Sequence, residues 1–171
     1  MIKIEVINIL LPSFFTLLRH PTHFLALGLG SGLSPKAPGT AGTLAAIPLF
    51  LLLAQLPLWW YCLAVLFAFI VGIYLCQVTA DDFGVHDHGA IVWDEFVGLW
   101  ISLVPLIYID VSWLGILLGF LLFRLFDIAK PWPISWLDRQ VHGGLGIMLD
   151  DVAAGIVAAL CLWPLLLLFG Y

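Results

Sequence analysis

Residues 89–109 read GAIVWDEFVGLWISLVPLIYI: two adjacent carboxylates, Asp94 and Glu95, at the mouth of an apolar run that carries no further charge and no neighbouring base. The rest of the chain is as apolar. Its 171 residues are 63% hydrophobic, 14% aromatic and only 10% charged, against about 25% charged in soluble domains. Six Lys and Arg with 11 Asp and Glu are too few to coat a soluble surface of this size, so much of the exterior must meet lipid or other apolar partners. The length suits a single domain spanning residues 1–171.

The formal charge of -5 and the lack of a basic tract exclude nucleic-acid binding. Cys62, Cys76 and Cys161 lie in apolar stretches without CxxC spacing and read as small buried hydrophobes. The start of the chain has neither a strongly basic region nor a small-residue cleavage site, so it does not read as a removed signal peptide. Residues 4–18, IEVINILLPSFFTLL, are broken by Pro12 and suit an interfacial N-terminal segment within 1–22.

Four or five hydrophobic helices are expected near 41–57, 60–80, 92–109, 112–129 and 152–170, where about 20 residues are needed to cross the hydrocarbon layer. The first is short and contains Pro48, so whether it crosses fully stays open. Trp59, Trp60, Tyr61, Tyr108, Trp113 and Tyr171 fall near helix ends, as amphipathic rings do at headgroup depth. Five alternating crossings put Lys3, Arg19, Lys36, Lys130 and Arg139 on one side, with Arg124 near that end of its helix. Ten of the 11 carboxylates join them, and only Asp110 lies opposite. The excess of Lys and Arg makes that side cytoplasmic. The expected architecture is all-α: a multi-pass membrane helical bundle.

Ionised groups inside a membrane are costly unless paired, hydrated or bound to a cation, so Asp94 and Glu95 are read as functional. A second pair, Asp150 and Asp151, opens the last hydrophobic helix in GGLGIMLDDVAAG. Helix capping would explain one of these carboxylates. Asp94 precedes Gly98 by four residues and Asp151 precedes Gly155 by four, which puts each acid on one face with a glycine that lets another helix approach closely. The two helices are therefore expected to pack together and merge their acids into one cluster. An all-oxygen cluster of this kind suits Mg²⁺, which also keeps waters and a substrate phosphate as ligands.

In FRLFDIAKPWPI, Arg124, Asp127 and Lys130 recur every three residues. Two readings stand side by side. Arg124 and Asp127 form an internal ion pair, or Asp127 joins the metal ligands while Arg124 and Lys130 hold a phosphate. The segment SGLSPKAPGTAGT brings Ser31, Ser34, Thr40 and Thr43 before a helix, where hydroxyls and backbone N–H groups can receive phosphate oxygens, but it has no nucleotide P-loop pattern. Its glycines read as a loop with several free N–H groups. Asp81, Asp82, His86, Asp87 and His88 read as a solvated loop rather than a zinc site, with Asp82 and Asp87 as candidates to support the ligands from behind. His142, beside Gly143, Gly144 and Gly146, reads as part of a turn back into the membrane, and the GILLG run at Gly115–Gly119 as helix packing.

Taken in order, GLGSGLSPKAPGTAGTLAAIP, VHDHGAIVWDEFVG, FRLFDIAKPWPISWLDR and HGGLGIMLDDVAAG resemble the phosphatidylglycerophosphatase A family over about residues 24–160. The resemblance implies a Mg²⁺-dependent lipid phosphatase of the bacterial inner membrane that converts phosphatidylglycerophosphate to phosphatidylglycerol. It further implies a bundle in which one helix is surrounded by the others. Its motif positions are Thr40, Gly42 and Thr43; Asp94 and Glu95; Arg124, Asp127 and Lys130; and Asp150 and Asp151. The metal would fall to Asp94, Glu95, Asp127, Asp150 and Asp151, and the substrate phosphate to Arg124, Lys130, Thr40, Gly42 and Thr43.

Two chemical routes remain open: a carboxylate activates water, or it attacks directly to form an aspartyl phosphate. A small cation- or proton-coupled transporter using the same carboxylates is the alternative, and it requires polar residues that continue to the opposite face. An assembly or scaffold protein would leave two acidic pairs and Arg124 without a role. The chain lacks the DGxxAR and GxxxDxxxD motifs of CDP-alcohol phosphotransferases and the KxxxxxxRP motif of metal-independent lipid phosphatases.

Overall fold

The computed structural model describes residues 17–85 and 88–168. Most of the expected interfacial segment, with Lys3, lies outside these residues, as do His86, Asp87 and Tyr171. Every regular element among the described residues is helical.

Proline and glycine set many of the boundaries. Helix α1, Pro21–Ala26, starts on a proline and is followed by a 3-10 turn, Gly28–Leu33, in which Gly28, Leu29 and Gly30 have positive φ. Helix α2, Pro38–Leu53, again starts on proline, the residue type whose missing N–H costs nothing at that position. Helix α3, Leu58–Phe83, follows Pro57 and ends at Gly84, whose φ of 66° is the left-handed stop that glycine accepts without strain. Then come α4, Trp93–Ser102, α5, Val104–Tyr108, and α6, Trp113–Ala129, capped by the Ser112 hydroxyl accepting from the Gly115 N–H at 3.1 Å. A short α7, Ile134–Gln140, leads into α8, Gly143–Leu168.

Helix α4 is the enclosed one: Glu95, Phe96, Val97, Gly98, Leu99, Trp100 and Ser102 are all buried. A Cβ on Gly155 would overlap the Gly98 carbonyl oxygen, and one on Gly98 would sit 2.9 Å from the Asp151 carbonyl oxygen. Helices α4 and α8 thus touch backbone to backbone at the two glycines singled out from their spacing. The polar atoms of three aromatic rings lock the other neighbours in place. Tyr61 on α3 donates to the Trp100 carbonyl at 2.6 Å, Trp100 Nε1 donates to the Ala46 carbonyl of α2 at 3.0 Å, and Trp93 Nε1 donates to the Ala68 carbonyl of α3 at 3.1 Å.

The structure changes several expected boundaries. The last helix begins at Gly143 instead of 152, so Asp150 and Asp151 lie two turns inside it and neither caps its start. The run Gly143–Gly146 was expected to be loop; its glycines instead admit close packing, since a Cβ on Gly144 would overlap the Ile73 carbonyl of α3. Residues 92–109 are divided at Leu103, where Pro105 allows a new helix to begin. Among the described residues, two helices can cross a membrane by length and composition: α3 and α8, each of 26 residues, with mean hydropathies of 2.3 and 2.2. The other expected spans are shorter, with α2 at 16 residues, α6 at 17, and α4 and α5 separate pieces.

Candidate active site

The start of α2, the start of α4, the end of α6 and the third turn of α8 meet at one end of the bundle. Arg124, from the last turns of α6, is the hub. Its Nη1 lies 2.7 Å from Asp127 Oδ2 and 3.1 Å from Glu95 Oε1, and donates to the Thr43 hydroxyl at 3.3 Å. Thr43 is fully buried and its hydroxyl faces both Glu95 Oε2, at 3.1 Å, and the Gly39 carbonyl, at 2.9 Å. Gly39 and Gly42 make room for this network. A Cβ on Gly39 would overlap Glu95 Oε1 and stand 3.1 Å from Arg124 Nη2, and one on Gly42 would stand 2.9 Å from Glu95 Oε2. The i,i+3 ion pair and the wider site are therefore one structure. Thr40 is half-buried on the first turn of α2 and stands outside the network.

Lys130 ends α6 in a left-handed conformation, with φ of 40°. Its Nζ lies 2.6 Å from Asp150 Oδ2 and 2.6 Å from Asp138 Oδ1. Burial works against the ammonium, but the hydrogen bonds and charges of Asp138 and Asp150 outweigh it and hold the Lys130 pKa above its ordinary value. Asp150 Oδ1 accepts the Asp151 N–H at 3.1 Å.

Asp151 is 3% exposed, and Asp94, Asp127, Asp150 and Glu95 all lie within electrostatic range of it. The acids of α4 and α8 do converge. As the side chains stand, however, Arg124 and Lys130 each face two carboxylates instead of an open phosphate site. Five site carboxylates around two cations leave an excess of negative charge, which a bound cation would relieve.

Among the described residues no three Asp, Glu, His or Cys side chains are close enough to cage a metal ion. Magnesium does not require a cage: it commonly takes one or two carboxylates and completes its shell with water and substrate phosphate. Asp151 Oδ2 fits that use, because it is buried with no hydrogen-bond partner, an arrangement that is costly for a bare carboxylate.

Other expected contributors stand elsewhere. Ser31 turns back to the Gly28 carbonyl at 2.7 Å and Ser34 to the Lys36 carbonyl at 2.9 Å. Several N–H groups of the glycine-rich loop are taken by its own backbone, among them Gly30 and Gly32, both bonded to the Leu27 carbonyl. Asp81 and Asp82 belong to the last turn of α3, where Asp81 accepts from Gln77 at 2.9 Å and Asp82 lies 3.2 Å from His23 Nε2. Asp138 was missed. Its only signal in the sequence is that Asp138 follows Lys130 by eight residues across a Pro-Trp-Pro turn, whose prolines break any helical or strand period between the two.

Comparison with known proteins identifies relatives over most of the chain. The chain is 53% identical over 154 residues to the phosphatidylglycerophosphatase A of Escherichia coli, covering 86% of this chain and 88% of the relative. It is 48% identical over 149 residues to that of Haemophilus influenzae, covering 86% and 90%. A Bacteroides thetaiotaomicron protein provisionally named a phosphatidylinositol-3-phosphatase is 40% identical over 151 residues, covering 85% and 89%. No solved structure matches. The family profile described as Phosphatidylglycerophosphatase A matches residues 24–166, all four motif segments included, and the chain belongs to the phosphatidylglycerophosphatase A family.

Proposed function

We propose that this enzyme removes the terminal phosphate of phosphatidylglycerophosphate in phospholipid biosynthesis, releasing phosphatidylglycerol and inorganic phosphate, and that it requires Mg²⁺. The observation that carries the reading is the cluster of Asp94, Glu95, Asp127, Asp150 and Asp151 around Arg124 and Lys130 at one end of an otherwise apolar bundle. Asp94 and Asp151 are the foremost candidates to hold the ion, with Glu95, Asp127 and Asp150 beside them. When bound, Mg²⁺ supplies positive charge against the phosphoryl oxygens and acidifies water. Arg124 Nη2 enters none of the contacts of Nη1 and stands close to Gly39 at the start of α2, beside Glu95 Oε1. A phosphate that displaced the Glu95 carboxylate from this point would meet one arm of the planar guanidinium and the N–H groups of a helix start together.

We read the bundle as multi-pass in the bacterial inner membrane. Leu114, Leu117, Leu121, Leu125 and Ile128 form one exposed stripe along α6, bounded by exposed Trp113 at one end and exposed Trp132 at the other. An apolar stripe ending in amphipathic rings suits lipid, with the rings at headgroup depth. Arg19, Lys36, Arg124, Lys130 and Arg139 belong to segments adjoining the site-bearing end, and this excess of Lys and Arg supports a cytoplasmic side for it. A phosphomonoester headgroup would then reach the cluster while its acyl chains stay in the bilayer. A transporter is disfavoured: among the described residues no charged side chain stands between this cluster and Asp110 near the far end.

The test is phosphate release from phosphatidylglycerophosphate and from phosphatidylinositol 3-phosphate by the purified protein, with and without Mg²⁺. Release from the first lipid in Mg²⁺ alone is expected, with Asp94→Asn and Asp151→Asn each abolishing it in folded protein. Full activity without divalent ions, or in both variants, overturns the metal assignment. Preference for the inositol lipid overturns the substrate.

A further inference from the structure

We propose that Asp138 is a positioning residue of this site: from the short helix α7 it holds the Lys130 ammonium against Asp150. This rests on the reading of Asp150 as part of the active site. The left-handed turn at Lys130 ends α6, and the chain passes through Pro131, Trp132 and Pro133 before α7 begins. Helix α7 is seated by Ile134, which is fully buried. From there Asp138 Oδ1 meets Lys130 Nζ at 2.6 Å, while Asp150 Oδ2 meets the same nitrogen at 2.6 Å from α8. Asp150 Oδ1 in turn accepts the Asp151 N–H. The contacts form one line from the surface to the buried acid: Asp138, Lys130, Asp150, Asp151.

Lysine needs such a second partner. Its ammonium is a point charge on a flexible four-carbon stem, with none of the planar preorganisation of arginine. One carboxylate fixes a distance to it, and two on opposite helices fix a position. Asp138 is 40% exposed at its side chain, and exposed ion pairs add little to folding stability. A purely structural role would therefore leave turnover and folding nearly untouched, whereas a positioning role affects turnover.

In Asp138→Asn, kcat is expected to fall about tenfold with KM and Tm nearly unchanged, and Asp138→Glu to recover most of the loss. In the Lys130→Gln background, Asp138→Asn should cause no further loss, because the aspartate acts through the lysine. A readout independent of turnover is acetylation by acetic anhydride, resolved by residue with mass spectrometry. Lys130 should react several-fold faster in Asp138→Asn than in the unaltered protein, with Lys36 unchanged. Unchanged Lys130 reactivity, an unchanged kcat, or an additive loss in the double variant overturns the proposal. If Lys130 reactivity rises but the unaltered protein releases no phosphate, the positioning contact stands and the proposed reaction falls.

Discussion

At the scale of single residues, one guanidinium nitrogen organises most of the site. Arg124 Nη1 serves Glu95, Asp127 and Thr43 together, which leaves its second arm to face Gly39. Lysine would keep the charge and lose the fork, so Arg124→Lys is expected to lower kcat/KM at least about tenfold in phosphate-release assays. Gly39→Ala probes the same point from the opposite helix. The added methyl must displace Glu95 Oε1, a cost of about 1–3 kcal/mol for an overpacked site. The loss should be larger in activity than in Tm, because the displaced atom belongs to the network itself. Lys130 behaves differently. Its raised pKa means that the stabilisation from its carboxylate partners is fully present below the ordinary lysine value of 10.5 and fades only as pH rises past the folded value. A change in activity across neutral pH therefore has its source in another group. The acid pairs were legible because they are charges set in apolar runs, and the Arg124–Asp127 step because it follows the period of one helix. Asp138 was illegible because its partnership with Lys130 is made by a turn and a change of helix, for which the sequence has no period.

At the scale of elements, glycine placement decides how close the helices come. Gly155 meets the Gly98 carbonyl of α4, a backbone atom that cannot move without its helix, whereas Gly119 meets a methyl of Leu103, which can rotate away. Gly155→Ala should therefore destabilise more than Gly119→Ala, by about 1–3 kcal/mol against less than about 1 kcal/mol. Thermal unfolding of both variants in one detergent checks the order, and equal losses would mean that α4 and α8 are free to slide apart. The same close approach explains which elements could be foreseen. Four residues from acid to glycine on each of two helices was enough to expect the α4–α8 pairing. The start of α8 was misjudged because Gly143–Gly146 resembles a loop by composition, and only the neighbouring α3 backbone shows what Gly144 serves. The division at Leu103 was missed for a related reason: Pro105 in an apolar run reads equally as a kink or as a new helix start.

At the scale of the whole molecule, the distribution of charge makes the proposed orientation testable. The site-bearing end carries Lys36 just before α2 and Arg139 on α7, while Asp110 sits between α5 and α6 at the other end. If the bundle crosses the membrane as proposed, Arg139 and Asp110 lie on opposite faces, although among the described residues only α3 and α8 have the length of full spans. The shorter α2 and α6, about 24–26 Å at 1.5 Å per residue, must then be met by a locally thinner layer or by exposed rings at their ends. Exposed Trp59, Trp60, Tyr108 and Trp113 at one end, with Trp132 and Trp136 at the other, supply those rings. Single cysteines at 110 and 139, in a chain whose Cys62, Cys76 and Cys161 are replaced, should separate the two faces. A membrane-impermeant maleimide added to intact cells whose outer membrane has been made permeable should label Asp110→Cys and spare Arg139→Cys, and inverted inner-membrane vesicles should reverse the pattern. Labelling of both from one side would mean that the bundle does not separate the two faces. The acidic site would then have to reach its lipid from the surface of the bilayer instead of from within it.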